Sequence, residues 1–146
     1  MKDFNYSQPY VYFLTICSRS KENLFSDPNL NSEILNCLKQ ERIEKGMAVY
    51  AYCLMPDHLH LLISPLEGGV NVSKFIGGFK SKSTRIAWKH GLKGKVWQDR
   101  FYDHIIRKVE NLKETCEYIL NNPVRKGLIE KREDFQFSGM IELIYV

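Results

Sequence analysis

No stretch of the 146-residue sequence approaches the roughly 18 consecutive apolar residues that a membrane-spanning helix requires. The first ten residues, Met1 to Tyr10, are polar and aromatic and carry no apolar segment of the secretory kind. A cytoplasmic protein with no membrane partner is therefore expected. The four cysteines, Cys17, Cys37, Cys53 and Cys116, never fall in C-x-x-C spacing. That excludes a zinc cage or a disulfide frame and predicts reduced, buried thiols. Low-complexity tracts are missing, and the length suits one domain over residues 1–146. Acidic residues are absent from Gly68 to Gln98, where Lys74, Lys80, Lys82, Arg85, Lys89, Lys93 and Lys95 all fall, with Arg100 just beyond. A solvated helix face usually mixes signs, so this one-sign run predicts contact with a polyanion such as nucleic acid.

The patterning that remains alternates between strands and helices. Tyr10 to Ser18 is aromatic and β-branched and reads as a central strand. Asp27-Pro28 is a capping pair, and Ile34, Leu35, Leu38 and Ile43 recur at helical spacing until Gly46. Met47 to Met55 is a second strand, and Pro56-Asp57 turns the chain into a third at His58 to Ser64. Val72, Phe75, Ile76, Phe79, Ile86 and Trp88 predict a second helix, weakened at Gly77-Gly78, and Tyr102 to Arg107 a fourth strand. The order is βαββαβ, an α+β, ferredoxin-like antiparallel sheet. A third helix from Glu110 to Asn121 or Asn122, ended by Pro123, is expected to cover the sheet face that the first two leave open. For residues 124–146 the expectation is only that Phe135, Phe137, Ile141, Leu143 and Ile144 pack somewhere.

Alternation along the third strand places His58 and His60 on one face, roughly 7 Å apart at Cα, with Leu59, Leu61 and Ile63 on the other. An isolated H-x-H is more often two polar residues on a wet surface. Here, though, Tyr118 and Asn122 share one side of the third helix, roughly 6 Å apart along its axis. Two neutral imidazoles and an amide oxygen can hold a divalent ion without cancelling its charge. A phenol beside that ion can attack phosphorus and form a phosphotyrosyl intermediate. His104 is an alternative third ligand but reads more readily as structural. Asp57 and Asp103, and His104 with them, are candidates to orient the histidines from behind.

Three blocks then carry a resemblance: Leu54-Met55-Pro56-Asp57-His58-Leu59-His60-Leu61-Leu62, the segment from Trp97-Gln98 to Arg107, and Tyr118-Ile119-Leu120-Asn121-Asn122-Pro123-Val124-Arg125-Lys126-Gly127-Leu128. Together, in this order, they resemble the REP-associated tyrosine transposases of the HUH endonuclease superfamily. The resemblance implies His58, His60 and Asn122 as metal ligands, Mg²⁺ or Mn²⁺ as the ion, and Tyr118 as the nucleophile forming a 5′-phosphotyrosine link. It also implies a single-stranded DNA substrate carrying a hairpin. Insertion-sequence relatives usually carry Gln at the position of Asn122 and act as dimers that trade tyrosine helices, so this chain is expected as a monomer or a homodimer. Two readings compete. One is a non-catalytic module binding single-stranded nucleic acid on an open ferredoxin-like sheet; the other is a metal-dependent phosphodiesterase using water.

Overall fold

β-Branched and aromatic residues dominate Val11–Cys17, and in the computed structural model, which describes residues 10–107 and 109–142, this segment is strand β1. Helix α1, Pro28–Lys45, starts where Asp27 accepts a bond from the Asn29 amide at 3.0 Å. It ends at Gly46, whose φ of 71° is the left-handed value that closes a helix cheaply only with glycine. Strands β2, Met47–Met55, and β3, His58–Pro65, form the hairpin expected around Pro56-Asp57. Helix α2, Val72–Lys89, runs unbroken through Gly77-Gly78, and β4 spans Tyr102–Ile106. Every pairing is antiparallel and the sheet order is β4-β1-β3-β2-β5. The first four strands are the ferredoxin-like set read from the sequence.

The sheet separates two apolar layers. Leu14, Ile16, Leu59, Leu61 and Ile63 pack with Ile34, Leu38, Phe75 and Phe79 of α1 and α2. On the other face Ala51, Cys53, Met55, Leu62 and Ile106 meet Cys116 and Ile119 of α3, Val109–Leu120. The third helix therefore lies over the face that carries the histidines, as expected. Its end differs from expectation. After Asn121 the chain makes a separate single turn, α4, Asn122–Arg125, so Pro123 sits in the first turn of a new helix instead of ending the old one. Proline lacks an N–H, and the first turn is where none is needed.

Beyond α4, Ser138–Met140 forms β5 on the open edge of β2, an addition that the sequence does not signal. Phe135 and Phe137 pack edge to face at 5.8 Å beneath it, and Ile141 joins the larger core, while Leu143 and Ile144 lie outside the described residues. Trp97 fixes the approach to β4: it stacks on Phe25 at 4.7 Å and donates its indole N–H to Ser83 Oγ at 2.9 Å in the core. Ser83→Ala should strand that donor and cost about 1–3 kcal/mol, read as a lower urea midpoint at unchanged m. No helix among the described residues is long and apolar enough to cross a membrane.

Candidate active site

The pleat of β3 and the pairing of β1 decide where the imidazoles point. Thr15 stands opposite His60, and its Oγ1 lies 2.9 Å from His60 Nδ1. Asp57, in the hairpin turn, accepts from His58 Nδ1 at 2.6 Å. With each Nδ1 occupied, the two Nε2 atoms are turned toward each other, 3.1 Å apart. Asn122, buried at the start of α4, brings its side-chain nitrogen to 3.0 Å from the same His58 Nε2. A half-turn of that amide presents its oxygen instead. His60 is pushed down to about 3, first by burial and then by the neighbouring His58, so at neutral pH its imidazole carries no charge.

Three polar side chains thus converge on one point, held by hydrogen bonds from the Asn122 amide to His58 and between the two imidazoles. The donor set of two imidazoles and an amide fits a divalent ion, with Asp57 and Thr15 fixing ring orientation from behind. Among the described residues no group of three His, Cys, Asp or Glu side chains offers an alternative metal cage.

Tyr118, on the last turn of α3, is half exposed, with its ring centroid 6.5 Å from that of His60 and 6.0 Å from that of Phe13. The Arg125 guanidinium lies over the phenol face at 3.7 Å and also reaches Asn122 Oδ1 at 3.3 Å. One cleft of about 450 Å³ is lined by His58, His60, Tyr118 and Asn122 together. Tyr118 from α3 and Asn122 from α4 thus both reach the cleft of the histidine-bearing strand, from two helices where one was expected.

A family model described as "Transposase IS200 like" matches residues 7–122. The chain belongs to the IS200-like transposase family. It is 29% identical, over 88% of its length and 78% of the relative's, to a Haemophilus influenzae protein provisionally named a REP-associated tyrosine transposase. It is 30% identical to the REP-associated tyrosine transposase of Escherichia coli over 65% of this chain and 55% of that protein. A solved structure of a REP-associated tyrosine transposase bound to a REP hairpin superposes with a TM-score of 0.78 at 24% identity. That match covers 94% of this chain and 82% of the other and establishes the shared fold.

Several expected site residues of this transposase lie elsewhere. Asp103 pairs with Leu14, so the pleat turns it to the helix face, where the Tyr12 phenol is raised first by burial, then by Tyr10 and last by the Asp103 charge. It cannot orient a histidine. His104 shares the histidine face but stands opposite Phe13 on the far side of β1, exposed and outside the cleft. None of Lys74, Lys80, Lys82, Arg85, Lys89, Lys93, Lys95 or Arg100 lines the cleft either, because α2 packs on the opposite face. The run is also less free in space than in sequence. Lys82 is paired with Glu41 and Glu44 of α1, Lys95 with Asp99, and Lys80 donates to the carbonyls of Gln98 and Asp99. Lys80, Arg85 and Lys95 instead border a separate groove of about 370 Å³ with the half-exposed Trp88. The cations at the histidine cleft are Lys21 and Lys126, which composition did not single out. Burial pushes the thiols up, Cys37 to about 11 and Cys53 to about 12, which suits inert packing and not nucleophilic chemistry.

Proposed function

We propose that this transposase cuts and rejoins single-stranded DNA beside a hairpin through a covalent 5′-phosphotyrosine intermediate. The observation that carries the reading is the convergence of His60 and Asn122 on His58, whose Nε2 lies 3.1 Å from His60 Nε2 and 3.0 Å from the Asn122 amide, in one cleft with the half-exposed Tyr118. His58, His60 and Asn122 would hold Mg²⁺ or Mn²⁺, which when bound supplies Lewis-acid polarisation of the scissile phosphate. Tyr118 Oη attacks phosphorus and the bond from phosphorus to the 3′ oxygen breaks. The phenol proton leaves to water, and the departing oxygen takes one up as a free 3′-hydroxyl. Because the phosphotyrosyl ester keeps the diester's energy, attack by a 3′-hydroxyl reverses the step and joins strands. A hairpin is the favoured substrate because the structural neighbour is bound to one. The chain is read as acting in the cytoplasm, as a monomer or a homodimer.

Labelled single-stranded hairpin DNA incubated with the protein and Mg²⁺ should give a protein–DNA adduct that survives denaturation and disappears with a chelator. Cutting without an adduct would favour water as nucleophile. Binding without cutting or adduct, across a panel of hairpins, would favour the non-catalytic module.

A further inference from the structure

We propose that Lys21 is a phosphate-holding residue of the strand that enters the histidine cleft, presented there by a turn built for the purpose. This rests on the reading that the substrate is single-stranded DNA. Ser20 and Lys21 have φ of 48° and 52°, left-handed values that residues with a Cβ adopt only when their surroundings impose them. The surroundings here are dense in bonds. Ser18 N–H donates to the Asp57 carbonyl at 2.9 Å, and Ser18 Oγ donates to the Glu22 carbonyl at 2.6 Å. Arg19 donates from its backbone to Val96 at 2.8 Å and from its guanidinium to the carbonyls of Lys93 and Lys95.

The turn is thus tied on one side to the hairpin that bears Asp57 and His58, and on the other to the basic loop beyond α2. All of this holds one side chain at the cleft wall. Lys21 is exposed, lines the cleft with His58, His60 and Tyr118, and makes no ion pair with any described residue. Its charge is felt inside: burial raises the Cys17 thiol, and Lys21 pulls it the other way. An ammonium without an ion pair among the described residues, on a rigid turn beside a site for phosphodiester chemistry, matches the phosphate oxygens of a passing strand in charge and donor count. The turn also joins the cleft to the groove bordered by Lys80, Arg85 and Lys95.

The test is equilibrium binding of labelled hairpin DNA with a single-stranded flank, without divalent metal, at several salt concentrations. Lys21→Ala should weaken binding for every flank sequence and flatten the slope of log K against log salt by about 0.7, the loss of one single-strand phosphate contact. The ratio of variant to wild-type Kd should then shrink by about 2.6-fold between about 50 and 200 mM salt. Lys21→Arg should restore the wild-type slope. Lys82→Ala, paired with Glu41 and Glu44 behind the sheet, should leave it unchanged. Since Lys21 is exposed and makes no ion pair with the described residues, matching melting curves for its variants are expected. An unchanged slope in Lys21→Ala, or equal effects of Lys21→Ala and Lys82→Ala, would overturn the proposal. Hairpin binding with this slope change but no covalent adduct would overturn the cleavage reading and leave Lys21 standing. Failure of the wild type to bind any hairpin would overturn both.

Discussion

Tyr118→Phe is expected to eliminate the covalent DNA adduct and to slow cutting by roughly 10⁴–10⁶-fold, the scale on which removal of a nucleophile costs a covalent enzyme. The substitution is a clean one. Phenylalanine keeps the ring that sits between Phe13 at 6.0 Å and the Arg125 guanidinium at 3.7 Å, and the ring's edge is already half in solvent. Only the hydroxyl is lost, and no described residue depends on it for a buried hydrogen bond. Melting and hairpin affinity should therefore match wild type while single-turnover cutting disappears. Adduct formation that persists in Tyr118→Phe would name another nucleophile. Cutting that persists without an adduct would move the chemistry to water.

How much of this could be read from the residues alone depends on whether the controlling contact is local or distant. The capped start of α1 at Asp27-Pro28, its stop at Gly46 and the period-2 histidines are local features, and each stands where its own neighbours put it. That Tyr118 lies over the histidine face was legible from the one sheet face left open, whereas Asn122 reaches His58 from the separate turn α4 and not from the helix that carries Tyr118, which the spacing did not signal. Asp103 could have been placed correctly from alternation alone: a strand that turns Tyr102 and His104 to one face must turn Asp103 to the other. The neutralisation of Lys82 was not legible, because it needs α1 to bring Glu41 and Glu44 alongside α2. Nor was β5, whose Ser138-Gly139-Met140 has no strand pattern. It pairs because β2 leaves an edge open, and a side chain at Gly139 would come within 2.9 Å of the Tyr52 hydroxyl. The left-handed turn at Ser20-Lys21 contains no glycine to announce it; the carbonyls of Val96, Lys93 and Lys95, some 75 residues away along the chain, hold it in place.

Replacing both His58 and His60 with alanine should remove metal-dependent cutting, by about 10³-fold or more if the ion contributes several kcal/mol to the transition state. Hairpin affinity measured without metal should change little, because the cations at the cleft and in the neighbouring groove stay in place. A readout independent of DNA separates this outcome from misfolding. Manganese at about 100-fold over its Kd should stabilise the wild type by about 2.7 kcal/mol and the double variant not at all. His60 is the more telling half of the pair, since its pKa, held down to about 3 by burial and by His58, keeps its imidazole uncharged at working pH. Asn122→Ala should weaken both the manganese stabilisation and the cutting, whereas Asn122→Asp, which supplies an oxygen ligand in the same place, should retain both. His104→Ala should change neither, because its imidazole is exposed on the far side of β1 from His60. Full activity in Asn122→Ala combined with loss in His104→Ala would transfer the third ligand to His104, and would require β4 to move relative to β1 when the ion binds.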